Sequence, residues 1–168
     1  MAEDVGRRIV GIDPGLNITG YGVISVSGRT RRVCEGGVVR GGRGELGERL
    51  KRIHTGITEV LDTWKPDAVA VEELFSHYKR PRTAILMGHA RGVICLAAAQ
   101  AGVEVVAYAA TQVKRMLTGH GRAPKMQVQQ AICRELGLAQ VPEPPDVADA
   151  LALAMCHQYF TQRTGVTL

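Results

Sequence analysis

The chain has 168 residues, 45% of them hydrophobic and 22% charged, a balance that suits one folded domain over residues 1–168 with a core of its own. A formal charge of +5 and a pI near 9.3 favour an anionic partner. The longest apolar run, residues 92–99, is too short to cross a bilayer, which excludes a membrane span, and the four scattered cysteines exclude a disulfide framework or a zinc site.

Ile9-Val10-Gly11-Ile12 runs straight into Asp13, and Pro14-Gly15 then breaks the chain. That pattern predicts a short buried strand presenting a carboxylate at a tight turn. Turn chemistry alone accounts for an Asp before Pro-Gly, so Asp13 gains meaning only from acids elsewhere. Tyr21 to Val26 is rich in β-branched and aromatic residues and predicts an antiparallel partner strand, with Arg31 to Arg40 as a third. Gly36-Gly37 suggests a bulge or bend within it.

Leu46, Leu50, Ile53, Ile57, Val60, Leu61 and Trp64 recur at helical spacing, and Lys65-Pro66 stops the helix. Ala68 to Val71 is continuously apolar, so it is expected to be buried on both faces, parallel to the first strand, and to deliver Glu72 and Glu73 at its C-terminal end. Residues 74–82 read as a loop. Thr83 to Ala101 predicts a small-residue helix that is either central or a subunit contact. Val103 to Ala107 is a fifth strand, followed by helices at Thr111 to Thr118, Pro124 to Leu136 and Asp146 to about Phe160. The cysteines Cys34, Cys95, Cys133 and Cys156 lie in apolar stretches and are expected to be buried, reduced thiols. Met1-Ala2-Glu3-Asp4 has no signal-peptide core, which predicts a cytoplasmic protein.

Asp146 and Asp149 are three apart on the last helix and share a face. Asp146 follows Pro-Pro and is expected to cap the helix. Asp149 sits among Ala and Leu, where a charge must be paired or bind metal. If the first and fourth strands are neighbours, Asp13 and Glu72 lie side by side, and the all-carboxylate set favours Mg²⁺ or Mn²⁺ over zinc. Two such ions about 3.5–4 Å apart can activate water and stabilise the leaving oxygen of a phosphodiester. An acidic site on a basic protein suits a nuclease.

Gly11-Ile12-Asp13-Pro14-Gly15 with Thr19-Gly20-Tyr21-Gly22-Val23, then Ala70-Val71-Glu72-Glu73, Gln112-Val113-Lys114 and Asp146-Val147-Ala148-Asp149-Ala150-Leu151-Ala152 occur in order along nearly the whole chain. As a set they resemble the RuvC family of Holliday-junction resolvases within the ribonuclease H-like superfamily. The resemblance implies an α/β fold with a five-stranded mixed sheet flanked by helices. It also implies a homodimer and Mg²⁺-dependent nicking of two opposed strands of four-way junction DNA, in cooperation with the RuvA–RuvB branch-migration complex. It places the catalytic and metal-binding acids on Asp13, Glu72, Asp146 and Asp149, with Asp146 the position that varies to histidine in some relatives. By the same resemblance Phe75 meets unpaired bases near the crossover, and Lys114 and Lys125 meet DNA phosphates. Lys79, Arg80, Arg82, Arg91, Arg115 and Arg122 are weaker candidates for backbone contacts, and Glu73, His77 and His120 receive no role.

The alternative is a phosphate-binding domain of the actin-like or sugar-kinase type, which also pairs an Asp turn with a Gly-rich hairpin. Such proteins close two domains over a nucleotide, and 168 residues supply one. A junction-binding protein without catalysis and a ribonuclease H-like enzyme acting on RNA–DNA hybrids are further rivals.

Overall fold

The computed structural model describes residues 6–74 and 81–165. Strands β1 (Arg7–Asp13), β2 (Ile18–Ser27), β3 (Thr30–Arg40), β4 (Ala68–Glu72) and β5 (Glu104–Tyr108) form one sheet in the order β3-β2-β1-β4-β5. β1 is antiparallel to β2 and parallel to β4, and β5 continues parallel on the far side of β4. Ala68 to Val71 are all fully buried, as a parallel strand covered on both faces requires.

Helices α1 (Leu46–Trp64) and α2 (Pro81–Gln100) cover one face of the sheet, and α3 (Ala110–Thr118), α4 (Lys125–Leu136) and α5 (Pro145–Thr164) cover the other. Alternation along β1 sorts the core: Val10 and Ile12 pack with Ile53, Ile57 and Ile94, while Ile9 packs with Leu151, Met155 and Ile132. α1 stops where Lys65 turns left-handed (φ 43°) and its N–H donates to Leu61 O at 2.8 Å. Pro66 prevents continuation.

α5 lies directly on the sheet because glycines make room for it. Gly11, Gly22 and Gly36 are register neighbours across three strands. A Cβ on Gly11 would stand 1.8 Å from Ala150 O; one on Gly22 would meet the Leu151 side chain at 2.6 Å, and one on Gly36 would meet Val147 at 2.7 Å. The expected bulge at Gly36-Gly37 is therefore corrected. Both glycines pair regularly, with Gly22 and Tyr21, and the register shift falls between Val23 and Ile24, opposite Cys34.

Other expectations also shift. β2 begins at Ile18 rather than Tyr21. α2 is not an internal core helix: Ala90, Ile94, Ala97 and Ala98 are buried, but Ile85 is 60% and Leu96 51% exposed. The thiols are free, yet only Cys156 is fully buried and the others are half-buried. Among the described residues no helix is long and apolar enough to cross a membrane.

Candidate active site

The site grows out of β1. Gly11 faces α5, so by alternation Asp13 faces the same way, one step nearer the start of that helix. Ile12 pairs with Val71, which sets Glu72 beside Asp13 at the shared C-terminal edge of the two parallel strands. Ala70 and Tyr108 lie in the α5-side core, so Glu72 also points to that side. Asp13 pairs on its other flank with Gly20, and a Cβ on Gly20 would fall 2.3 Å from Asp146 O and 2.7 Å from Asp146 Cβ. The missing side chain at position 20 thus lets Asp146 sit against the strand that neighbours Asp13.

Asp146 does not cap α5. Pro144 holds the N-cap position with no side-chain cap hydrogen bond, because Pro145 has the preset φ of a first helical residue and starts the helix one residue early. Asp146 stands instead in the first turn, where the helix dipole favours a negative charge. Asp149, one turn further, accepts a hydrogen bond from Lys125 Nζ at 2.8 Å. The pair is open to solvent, the two side chains being 57% and 38% exposed, so it is not the buried ion pair that would reduce Asp149 to a structural residue.

Burial, and then the charges of Asp149, Glu72 and Asp146, push the Asp13 carboxyl up to about 7, with Lys125 opposing. Glu72 is raised by burial and by Asp149, and Lys114 opposes the rise. All four acids therefore share one electrostatic neighbourhood, with both candidate lysines at its rim. Glu72, Lys114, Lys125 and Asp149 line a cleft of about 260 Å³ whose floor is the apolar trio Val113, Val128 and Leu153. Phe75 lies outside the described residues, as do Lys79 and Arg80.

Among the described residues no three His, Cys, Asp or Glu side chains already form a metal-ligand cage, and Lys125 supplies the countercharge at Asp149. The donor set nevertheless fits a hard divalent cation. It consists of carboxylate oxygens alone, and cation binding would relieve the repulsion that raises Asp13.

Two positioning residues received no role from the sequence, although Thr19 lies in the motif that carries the resemblance. Fully buried Thr19 closes the Asp-Pro-Gly turn: its Oγ1 donates to Gly15 O at 2.8 Å and accepts the Gly15 N–H at 3.3 Å. Arg49 on α1 reaches across to Leu16 O at 3.3 Å and to the Asn17 side-chain oxygen, holding the turn from outside. Both bonds join residues whose roles depend on where the turn lands in space.

The mixed sheet in this order, with helices on both faces, defines a ribonuclease H-like α/β protein. The yeast mitochondrial Holliday junction resolvase shares that fold at TM-score 0.68 and 10% identity, over 97% of this chain and 85% of its own. The family model for crossover junction endodeoxyribonuclease RuvC matches residues 9–157, and the chain belongs to that family. It is 58% identical to the crossover junction endodeoxyribonuclease RuvC of Rhodopirellula baltica, over 90% of this chain and 86% of the relative. Thermus thermophilus RuvC in complex with a Holliday junction substrate superposes at TM-score 0.89 and 40% identity, over 94% of this chain and 96% of that one. This membership sets aside the kinase-like alternative, and nucleases of the family depend on divalent metal.

Proposed function

We propose that the chain, a single nuclease domain, resolves four-way DNA junctions by hydrolysing one phosphodiester in each of two opposed strands. Asp13, Glu72, Asp146 and Asp149 hold the metal, and Lys114 and Lys125 hold the DNA. The observation that carries this reading is the mutual charge repulsion centred on Asp13, rimmed by the two lysines of the same cleft. When bound, two Mg²⁺ ions (Mn²⁺ substituting) would polarise the scissile phosphate and lower the pKa of the attacking water. Asp13 and Glu72, fixed on neighbouring strands, provide the rigid half of the ligand set. Asp146 and Asp149 complete it from one face of α5. Lys125 exchanges its carboxylate partner for a DNA phosphate, and Lys114 counters the charge beside Glu72. Phe75, next to this edge in sequence, stacks on bases unpaired at the crossover.

Paired incision calls for two sites related by a twofold axis, hence a homodimer. Support comes from α2, where Ile85, Gly88, Gly92 and Leu96 form a stripe at helical spacing; both leucine-type side chains are exposed, and both glycines would admit a Cβ with nothing within 4 Å. The enzyme works on chromosomal junctions in the cytoplasm, after branch migration by RuvA–RuvB.

The test is cleavage of a synthetic mobile four-way junction beside a linear duplex of the same sequence, with Mg²⁺. Paired nicks on the junction alone are expected. Equal cutting of the duplex would point to a general nuclease, and binding without cutting to a junction-binding protein.

A further inference from the structure

The turn between α3 and α4 carries a second cleft that the catalytic reading leaves unused. It measures about 470 Å³ and is lined by Thr111, Arg115, Gly119, His120, Gly121 and Arg122, with no carboxylate among them. Arg115 and Arg122 are exposed, and neither joins an ion pair among the described residues. Two guanidiniums on one cleft, with no carboxylate beside them, present planar donor forks that suit an oxyanion.

The cleft is built rather than incidental. Gly119 ends α3 in the left-handed region (φ 81°), and Thr118 Oγ1 accepts the His120 N–H at 3.2 Å while donating to Lys114 O at 2.7 Å. The Ala123 N–H donates to His120 O at 3.2 Å. The Arg122 N–H donates to His120 Nδ1 at 3.3 Å, which leaves Nε2 to carry the ring proton as a donor. The Arg115 guanidinium lies against this turn, 3.4 Å from where a Cβ on Gly121 would stand. These bonds fix the backbone of the turn that carries His120 and Arg122.

The position of the cleft names the anion. Arg115 follows Lys114 on α3, and Arg122 precedes Lys125 by three residues; both lysines line the acidic cleft. Both clefts are thus lined by α3, and the turn that carries Arg122 leads directly into Lys125 at the start of α4, so the second cleft adjoins the first along the chain. We propose that the Arg115–His120–Arg122 cleft is a phosphate subsite, seating one backbone phosphate of the same DNA arm away from the cut. It rests on the junction-cleaving reading above and adds a contact that fixes the register of the strand.

The test measures junction binding by the Asp13→Asn chain without divalent metal across a salt series. The slope of log K against log salt counts the phosphates neutralised. Adding Arg115→Gln and Arg122→Gln is expected to lower that slope by about 1 and weaken binding about tenfold at moderate salt. Arg115→Lys with Arg122→Lys is expected to restore the slope. A charge-matched control, Arg29→Gln with Lys51→Gln at exposed positions on other elements, is expected to leave it unchanged. An unchanged slope in the arginine variant overturns the subsite, as does an equal fall in the control, which would mean that net charge alone is sensed. A parent chain that binds no DNA at all would instead overturn the junction reading and the subsite with it.

Discussion

At Asp13, burial and three neighbouring carboxylates act in the same direction, and only Lys125 opposes them. A residue held against such repulsion costs stability and is kept for what it binds. Asp13→Asn is therefore expected to cut junction cleavage by about three orders of magnitude or more, while junction binding persists and the melting temperature does not fall. Gel-based cleavage, a binding titration and a thermal melt check the three parts. His157 offers a separate residue-scale test. It is fully buried, its Nδ1 shares a hydrogen bond with Tyr108 Oη at 2.7 Å, and its Nε2 has no partner among the described residues. Burial, and then Arg7, pull it from 6.5 down to about 4. Above pH 6.5 it is neutral in folded and unfolded chains alike and adds no pH dependence. As pH falls from 6.5 towards 4 the unfolded chain takes up the proton first, so stability is lost over that window, by on the order of 3 kcal/mol. Urea unfolding across this range should show the loss in the wild type and a flatter profile in His157→Asn.

At the scale of elements, the contact between α5 and the sheet decides both stability and the site. Gly11→Ala would drive a methyl group into the Ala150 carbonyl, 1.8 Å from the Cβ position, and neither backbone can yield cheaply. A loss of about 3 kcal/mol is expected, or roughly 6–12 °C in melting temperature. Gly20→Ala meets Asp146 in the first turn of α5 instead, with its Cβ 2.3 Å from the carbonyl oxygen where Gly11 has 1.8 Å. There the expected outcome is the reverse balance: a smaller drop in melting temperature and at least a tenfold loss of cleavage, because the displaced group is Asp146 itself. Comparing melts with cleavage rates for the two variants separates packing from positioning.

For the whole molecule, the dimer contact proposed on α2 is what would link one site to two. Ile85→Glu with Leu96→Glu places like charges on both copies of a twofold contact and is expected to halve the mass seen by sedimentation. Cuts on the two junction strands should then lose their coupling while the fold survives, since both side chains are already exposed in the single chain. An unchanged mass would move the dimer contact off α2.

Much of this protein was legible residue by residue. Strand alternation, helical spacing and the breakers Pro14-Gly15, Lys65-Pro66 and Gly137 act over short range, so the sequence by itself determined the element order and the parallel direction of β4 relative to β1, and it singled out Asp13, Glu72, Asp146 and Asp149 as candidates. Even locally, Asp146 was misplaced as a cap, because Pro145 starts α5 a residue sooner than the acid suggests. What only the tertiary structure decided depends on residues far apart in the chain. Gly36 reads as a bulge or bend in isolation, yet it is a slot for Val147; Thr19 falls before the strand expected from the sequence, yet it locks the turn after Asp13. The Lys125–Asp149 pair arises because packing α4 and α5 on one sheet face brings together side chains that no local pattern relates, and which side of α2 stays exposed is decided by its packing on the opposite face.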